Sequence, residues 1–279
     1  MVKQVIPKTL DEALNYLYDR SYQIIAGGTD LMVQKRSTAE TPPLFSNNIL
    51  YAFHLEELKF IKRSEHCLHI GSMTSLETLL HHEDTPKILK EVIYEMASPA
   101  IRNVATLAGN IANASPAGDS LVPLYLLDAQ IILLSKNQFR HIPIEKLIIG
   151  PRKTVILKDE IIKDIAIPKH EFTQFKWIKV GGRRADAISK VSFLGAVHID
   201  GDQVLDFRIA FGAVYKTVIR NREIEKEYKN ISVQELKNKH DEIIEKYDAC
   251  ILPIDDQRSN KEYRKKVALN MLSDFIINL

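Results

Sequence analysis

The stretch of sequence that decides the fold reads Ile24-Ile25-Ala26-Gly27-Gly28-Thr29-Asp30-Leu31. Its short β-rich start, closed by two glycines, predicts a strand that ends in a tight turn. Paired glycines let successive backbone N–H groups converge on one point without obstruction by Cβ atoms, which is how a loop holds a phosphate without a lysine. A plain tight turn is the alternative that this stretch alone leaves open.

This loop does not match the common phosphate-binding motifs. No GxxxxGK[ST] sequence occurs, which excludes a Walker loop, and the eleven glycines nowhere form GxGxxG. The Rossmann mode of dinucleotide binding is therefore disfavoured.

A second stretch, Thr106 to Ser120, reads TLAGNIANASPAGDS and is rich in small and hydrogen-bonding residues. It lies within residues 92–134, whose only charged side chains are Glu95, Arg102, Asp119 and Asp128. We expect this region to be the most buried, or the closest to a ligand, because buried polar groups need partners. Two such loops favour a long ligand such as a dinucleotide, while a closely packed helix is the alternative for the second loop.

Composition sets the class of protein. The 279 residues are 45% hydrophobic and 27% charged, which is typical of a soluble globular protein of one large or two modest domains. No apolar run approaches the roughly 18 to 20 residues that span a bilayer. The N-terminus lacks an apolar signal core, so a cytoplasmic protein is expected. A net charge of +2 argues against nucleic acid or an anionic membrane as a partner.

The cysteine count excludes several metal centres. The chain has two cysteines, Cys67 and Cys250, whereas an iron–sulfur cluster takes about four and a structural zinc site needs several Cys or His ligands. Neither HExxH nor CxxC occurs. We expect no metal site, and no disulfide framework, in this chain.

Local signals predict the helices and strands. Capping boxes begin helices at Thr9, Thr74, Ser232 and Ser259, and a further helix starts with Thr85 as its cap. The helix after Ser232 is expected to run through Leu236, Ile243 and Tyr247. The predicted strands are 129–135 and 160–167, and a hairpin joins 191–199 to 204–214 through an Asp200-Gly201 turn of type I′.

These elements predict an α+β chain with a boundary near Pro168. The first domain is expected to span residues 1–168, in subdomains of about 1–56 and 57–168. The second domain, 169–279, is expected to be a sheet with helices. No internal repeat is present.

The string AGGTDL at 26–31, followed by IRNVATLAGNIANASPAGDS at 101–120, resembles the FAD-binding medium subunit of the molybdenum hydroxylases. That family includes bacterial xanthine dehydrogenase, aerobic carbon monoxide dehydrogenase, and nicotinate and quinoline hydroxylases. The resemblance runs through almost the whole chain, with further matches at GPRKT (150–154), Asp206-x-Arg208 and Asp256-x-Arg258. One departure is Ala108, where the family more often has glycine.

The resemblance implies a fold and a cofactor site. The fold would be the FAD-binding fold of the vanillyl-alcohol-oxidase (PCMH) type in two subdomains, plus a C-terminal flavoprotein domain. Residues Ile24, Ile25, Ala26, Gly27, Gly28, Thr29, Asp30 and Leu31 would wrap the FAD pyrophosphate through their backbone amides. The other residues that the resemblance assigns to FAD are Thr106, Gly109, Asn110, Ser115, Asp119, Ile162, Lys179 and Met96.

The side-chain chemistry of two of these residues suits binding of FAD. Asp119 would accept hydrogen bonds from ribityl or ribose hydroxyls. Lys179 would stabilise negative charge on the reduced flavin. Without the resemblance, Lys179 would be read as a surface lysine on a strand.

The implied function is electron transfer, with no catalytic acid or base in this chain. FAD would pass electrons from 2Fe-2S clusters on a small partner subunit to NAD⁺ or another acceptor, and a large partner subunit would hold molybdopterin. The expected assembly is a dimer of heterotrimers. Two alternatives stay open: a self-sufficient flavin-dependent reductase of the same fold, and a non-enzymatic assembly module.

Overall fold

The computed structural model describes residues 2–19, 22–37 and 41–279. The chain forms two compact units. The first contains Met1–Thr85, Ala97–Ala114 and Asp128–Pro168, and the second contains Pro86–Met96, Ser115–Leu127 and Lys169–Leu279. The domain boundary at Pro168 stays a prediction. The two units are interleaved along the chain, since two segments that precede Pro168 belong to the second unit.

The strands and helices of the described residues range from two-residue strands to the 17-residue helix α12. The strands are β1 (Gln4–Val5), β2 (Tyr22–Ile25), β3 (Asn48–Tyr51), β4 (Ile61–Arg63), β5 (Cys67–Gly71), β6 (Gln130–Leu134), β7 (Phe139–Pro143), β8 (Ile148–Gly150), β9 (Lys153–Thr154), β10 (Ile161–Pro168), β11 (Gln174–Val180), β12 (Val191–Asp200), β13 (Gln203–Gly212), β14 (Ile219–Arg220) and β15 (Ile231–Ser232). The helices are α1 (Leu10–Asp19), α2 (Leu31–Gln34), α3 (Leu76–His81), α4 (Lys87–Tyr94), α5 (Pro99–Arg102), α6 (Leu107–Asn113), α7 (Leu121–Leu126), α8 (Ile144–Leu147), α9 (Arg222–Glu227), α10 (Val233–Asn238), α11 (His240–Cys250) and α12 (Lys261–Ile277).

The first unit contains a parallel sheet in the order β1-β3-β2. Helix α1 follows β1, and its apolar residues Ala13, Leu14 and Leu17 are buried in one core with Leu50 of the central strand. Helix α1 connects the two edge strands β1 and β2, which both run parallel to β3. Strand β2 lies at an edge of this sheet and ends at Ile25, where the glycine loop begins.

A second sheet of the first unit is antiparallel, in the order β4-β5-β10-β6-β7. Its central strand β10 is buried along most of its length. The pairing of β10 with β6 shifts between Ile162 and Asp164, which makes Lys163 the extra residue of a β-bulge. A two-stranded β8–β9 ribbon follows β7 and α8.

The second unit is built on the antiparallel sheet β11-β12-β13-β14, with β15 paired to β13. The two long strands β12 and β13 carry Phe193, Phe207 and Phe211 into a core that also holds Phe275 of α12. The ring centroids of Phe193 and Phe275 lie 5.8 Å apart. Burial of these aromatic rings, together with Met271, Leu272 and Ile276 of the same helix, packs α12 against the sheet.

Two of the predicted caps are confirmed. Thr9 Oγ1 accepts a hydrogen bond from the Glu12 N–H at 3.2 Å. Ser232 Oγ accepts from the Glu235 N–H at 3.0 Å. The helix after Ser232 ends at Asn238 and a separate helix begins at His240, so the single helix expected there is two.

Three other predicted caps are wrong by one residue. Ser75, not Thr74, caps α3, because the Thr74 hydroxyl is already bonded to the backbone N–H and C=O of Phe60. Asn260, not Ser259, caps α12, since its side chain accepts from the Tyr263 N–H at 2.8 Å. Helix α4 has the extended Pro86 as its cap in place of Thr85.

The hairpin of the second unit is confirmed, but its turn type is not. Asp200 pairs with Gln203, so the central turn residues are Gly201 and Asp202. Only Gly201 has a positive φ, at 60°, whereas a type I′ turn needs positive φ at both positions. A glycine with positive φ at the first position is the pattern of a type II′ turn.

Within residues 2–19, 22–37 and 41–279, no helix combines the length and apolar character that crossing a bilayer requires.

The close approach of Gly195 to Phe275 yields a test of the second core. A Cβ atom on Gly195 would lie 2.6 Å from Phe275 Cδ1, so Gly195→Ala forces the buried ring to move. Such overpacking costs about 1–3 kcal/mol of unfolding free energy. We expect that loss in urea denaturation followed by the fluorescence of Trp177, the single tryptophan.

The matched control is Gly182→Ala, where an added Cβ has no atom within 4 Å. It should change the unfolding free energy by no more than about 1 kcal/mol. Equal stability of the two variants would contradict the packing described here.

Candidate functional site

The glycine loop leaves β2 at its buried end. Ile24 and Ile25 are the last residues of the strand, and Ile25 is 4% exposed. Gly28 has a φ of 68°, in the left-handed region that side chains disfavour. Its carbonyl accepts the Met32 N–H at 2.9 Å, which starts α2 at Leu31. The turn therefore leads from strand to helix within a few residues.

Gly27 allows this loop to touch the backbone that enters the second motif. A Cβ on Gly27 would lie 1.8 Å from the Val104 carbonyl oxygen, so only glycine permits the contact. A Cβ on Gly109 would lie 4.0 Å from Ala26 Cβ. The two stretches that the sequence predicts to bind one ligand therefore lie against each other in the first unit.

Helix α6 presents the polar residues of the second motif. The Thr106 hydroxyl caps the helix by accepting from the Gly109 N–H at 2.9 Å. The Asn110 side-chain oxygen is buried and has no hydrogen-bond partner among the residues that the structure describes. Leaving such an oxygen unpaired costs about 1–3 kcal/mol. A ligand with N–H or O–H groups would remove this cost, so Asn110 fits a residue that binds a cofactor.

Arg152 holds this region together, and sequence reasoning assigned it no role. Its φ of 56° is left-handed, and its N–H donates to the Ala114 carbonyl at 2.9 Å. Its guanidinium donates to Asn113 Oδ1 at 3.3 Å and lies 3.6 Å from Asp30 Oδ2. Gln34 donates to the same Asn113 oxygen at 2.8 Å. Arg152 thus offsets the negative charge of Asp30 beside a loop predicted to receive phosphates.

The sequence feature that could have pointed to Arg152 is the GPRKT motif. In the structure its arginine lies in the turn between β8 and β9. Ile162, the remaining predicted residue of the first unit, lies in β10, where it is 5% exposed and pairs with Leu133.

In the second unit, Lys179 and Asp119 form a buried ion pair. Lys179 Nζ lies 2.8 Å from Asp119 Oδ2, and the two side chains are 9% and 7% exposed. Lys179 is therefore not a surface lysine. Asp119 also accepts a hydrogen bond from Ser189 Oγ at 2.5 Å.

Burial raises the pKa of the Asp119 carboxyl above its ordinary value. The Lys179 charge and the bonds from Lys179 and Ser189 act in the opposite direction and lower it. Because desolvation outweighs these contacts, the ionised carboxylate depends on Lys179 to stay charged.

Glu95 supports the same lysine and was not predicted. Its carbonyl oxygen accepts from Lys179 Nζ at 2.9 Å, and its carboxylate accepts from Trp177 Nε1 at 2.9 Å. Lys179 and Trp177 lie two residues apart on β11, on the same face of the strand. The predicted residue Met96 follows Glu95 and is 8% exposed.

Ser115, predicted from the second motif, lies in a turn of the second unit. Its carbonyl accepts the Gly118 N–H at 2.9 Å, and its hydroxyl accepts the Ala117 N–H at 3.3 Å. The turn leads into Asp119, so Ser115 helps set the position of the carboxylate. Among residues 2–19, 22–37 and 41–279, no group of three or more His, Cys, Asp or Glu side chains is arranged to hold a metal ion.

Comparison with known families gives two matches that together cover most of the chain. Residues 1–170 match the FAD binding domain in molybdopterin dehydrogenase. Residues 176–279 match the CO dehydrogenase flavoprotein C-terminal domain.

Relatives match over similar lengths. The xanthine dehydrogenase FAD-binding subunit of Escherichia coli O157:H7 is 28% identical, over 96% of this chain and 92% of the relative. The nicotinate dehydrogenase FAD-subunit of Eubacterium barkeri is 30% identical, over 70% of this chain and 68% of the relative.

Solved structures share the fold at low identity. A chain of the CO dehydrogenase from Oligotropha carboxidovorans superposes with a TM-score of 0.87 at 22% identity, covering 98% of this chain and 96% of that chain. A chain of quinoline 2-oxidoreductase from Pseudomonas putida 86 gives a TM-score of 0.86 at 20% identity, covering 100% and 96%.

The fold, the glycine loops and these matches define the class as a flavoprotein subunit of an oxidoreductase, with an FAD-binding domain and a C-terminal flavoprotein domain. The predicted fold and the FAD cofactor are thereby confirmed. The chain belongs to the family of FAD-binding subunits of the molybdenum hydroxylases. The assignment of individual residues to FAD stays a prediction.

The Gly27 contact leads to a graded test of the glycine loop. Gly27→Ala places a methyl group 1.8 Å from the Val104 oxygen, whereas in Gly109→Ala the nearest atom is Thr106 Oγ1 at 3.1 Å. We expect Gly27→Ala to lose bound FAD, because the loop must move, and Gly109→Ala to retain most of it. Flavin absorbance per protein, with the thermal unfolding midpoint as a folding check, measures this. Full flavin content in Gly27→Ala would count against the loop as the binding element.

The buried ion pair predicts a pH-dependent loss of stability in Lys179→Met. A carboxyl whose pKa is raised in the folded state contributes stability at low pH that is lost as pH rises through that pKa. Without Lys179 the pKa of Asp119 rises further. We therefore expect a loss of about 3–5 kcal/mol near pH 8, and a smaller one near pH 5, because a carboxyl with a raised pKa takes up a proton more readily as the pH falls.

Lys176→Met is the matched control on the same strand. Lys176 pairs with Asp274, and both side chains are exposed, at 38% and 49%. Its loss should cost no more than about 1 kcal/mol. Urea denaturation at both pH values tests the pair, and similar, pH-independent losses in the two variants would exclude a buried charge pair.

Proposed function

We propose that this chain is the electron-transfer subunit of a molybdopterin-dependent hydroxylase or dehydrogenase. It takes electrons from 2Fe-2S clusters on a partner subunit and delivers them to NAD⁺ or another acceptor. The organic substrate is oxidised on a further subunit that holds molybdopterin.

The cysteine count carries this proposal. A 2Fe-2S cluster takes about four protein ligands, usually cysteine thiolates. This chain has two cysteines, and Cys67 lies in the first unit while Cys250 lies in the second. The chain matches FAD-binding subunits of dehydrogenases along its length, and its two cysteines are too few for a 2Fe-2S cluster with cysteine ligands. We infer that its FAD exchanges electrons with clusters on another subunit.

The cofactor supplies the redox chemistry, since a flavin exchanges electrons singly or in pairs. The chain supplies the binding groups. The loop 24–31 offers backbone N–H groups to the pyrophosphate, and Asn110 offers an amide oxygen that needs a donor. Lys179 would supply a positive charge to a reduced flavin, and Asp119 and the Glu95 carbonyl fix its side chain.

This arrangement changes the role of Asp119. A carboxylate that already binds Lys179 and Ser189 has fewer free lone pairs for ribityl or ribose hydroxyls. Its main role is to hold the Lys179 ammonium group in position through their ion pair. Lys179 then stabilises negative charge at the flavin by electrostatics rather than by proton transfer.

The proposed assembly is a heterotrimer with a 2Fe-2S small subunit and a molybdopterin large subunit, present as a dimer of heterotrimers. The names of the relatives support a multisubunit complex, because they are called FAD-binding subunits or medium chains.

The experiment compares complexes that contain wild-type chain or Gly27→Ala. Each complex is reduced anaerobically with limiting dithionite and mixed with NAD⁺, oxygen, a quinone or ferredoxin in a stopped-flow instrument. We expect at least one acceptor to reoxidise the clusters of the wild-type complex. The flavin-free variant should retain reduced clusters, seen by electron paramagnetic resonance.

Three results would reject the proposal. One is equal reoxidation of the clusters in the flavin-free complex. Another is full turnover of an organic substrate by the isolated chain with FAD, which identifies a self-sufficient reductase. A third, normal complex formation by a chain that never binds FAD, would instead identify an assembly module.

A further inference from the structure

Arg152 adopts a strained backbone conformation on the surface of the first unit. Its φ of 56° lies in the left-handed region, which glycine enters freely and other residues enter at a cost. Its side chain is 55% exposed, so burial does not compensate that cost. Its N–H donates to the Ala114 carbonyl at 2.9 Å, a bond that glycine would make equally well. Strained residues of this kind are concentrated at ligand sites, so the side chain is the part of Arg152 that needs an explanation.

The Arg152 side chain belongs to a closed network of four side chains. We call it the Arg152 network and define it by Asp30, Gln34, Asn113 and Arg152. The guanidinium donates to Asn113 Oδ1 at 3.3 Å and lies 3.6 Å from Asp30 Oδ2. The Gln34 amide donates to the same two oxygens, at 2.8 Å to Asn113 Oδ1. The network thereby ties the glycine loop, α2 and the end of α6 to the turn between β8 and β9.

This network determines the contacts of the Asp30 carboxylate. Asp30 directly precedes α2, but its side chain makes no capping bond to that helix. It is bound to Gln34 and Arg152 instead. The backbone N–H groups of residues 28–31 make no hydrogen bond in the part of the chain that the structure describes. The carboxylate therefore leaves the donors of the glycine loop open to a ligand.

A carboxylate beside a phosphate site is unfavourable unless its charge is compensated. The loop 24–31 contains Asp30 but no lysine or arginine. The pyrophosphate of FAD is negatively charged, and a free carboxylate in the loop would repel it. Among the described residues, Arg152 is the one that forms an ion pair with Asp30. Removing its guanidinium would therefore add an uncompensated negative charge to the loop.

We propose that Arg152 is a positioning residue for the binding of FAD. It acts through Asp30, whose carboxylate it neutralises and holds away from the loop donors, so that the pyrophosphate can bind there. Arg152 need not touch the cofactor. The inference rests on the assignment of the glycine loop to the FAD pyrophosphate in the proposed function. It adds a residue outside that loop on which the affinity for FAD depends.

A glycine variant separates the side chain of Arg152 from its backbone. Arg152→Gly keeps the left-handed turn and the N–H that binds Ala114, but it removes the guanidinium. We expect the dissociation constant of FAD to rise about three- to tenfold. It is measured by fluorescence titration of the FAD-free full chain at low salt. The thermal unfolding midpoint of the FAD-free chain should change by no more than about 3 °C, because glycine adopts this conformation without strain.

Rescue and salt dependence identify charge as the cause. The double variant Arg152→Gly with Asp30→Asn should bind FAD within about twofold of Asp30→Asn alone, because no carboxylate is left to repel the pyrophosphate. The deficit of Arg152→Gly should also shrink at about 1 M NaCl, which screens charges beyond roughly 3 Å. A role of Arg152 in the fold alone would produce neither result.

Lys153→Gln is the matched control, because Lys153 is the next residue, is exposed and lies outside the Arg152 network. It should change the affinity less than about twofold, and an effect equal to that of Arg152→Gly would reject the proposal. A loss in Arg152→Gly that Asp30→Asn fails to rescue would also overturn it. Retention of FAD by Gly27→Ala would reject the glycine loop itself. Loss of FAD by Gly27→Ala with wild-type affinity in Arg152→Gly would reject only the role of Arg152.

Discussion

The missing side chain of Gly27 is the constraint on which the binding region depends. Its backbone approaches the Val104 carbonyl so closely that a methyl group cannot fit between them. This contact joins the end of a parallel sheet to the segment that enters α6, although the two are far apart in sequence. Helix α6, on one side of this junction, carries the Thr106 cap, the buried Asn110 oxygen and the Asn113 oxygen that Arg152 contacts.

The second unit meets a different requirement, because it must keep a positive charge where water is largely excluded. Lys179 lies on a strand, Asp119 follows a turn, and the Glu95 carbonyl closes a helix. Each element alone is ordinary. Together they compensate a cation that would otherwise lose its hydration at high cost. Their joint effect is a lysine whose ammonium group is held from two sides, by the Asp119 carboxylate and by the Glu95 carbonyl.

The sequence predicted those elements that depend on neighbouring residues alone. The strand before the glycine loop, the caps at Thr9 and Ser232 and the long hairpin of the second unit follow from residue type and spacing. Prediction failed where a distant group competed for the same atom. Thr74 has the right chemistry for a cap, but Phe60 occupies its hydroxyl, so the helix begins one residue later. The partners of Lys179 could not be predicted from local signals, because Asp119 and Glu95 lie tens of residues away from it and share no periodic pattern with it.

The bulge at Lys163 also sets the phase of β10. Side chains along a strand alternate between faces, and an extra residue reverses that alternation for everything that follows. Ile162 pairs with Leu133 and Ile165 with Ile131, so Ile162, Ile165 and Ile167 share one face, whereas Asp164, paired with Ile132, lies on the other. Deleting this single residue would leave Ile162 and Asp164 adjacent, like their partners Leu133 and Ile132, so the bulge would be lost while the buried isoleucines kept their face. The extra residue thus lets the core face pass from an even position, Ile162, to the odd positions of Ile165 and Ile167 within one strand.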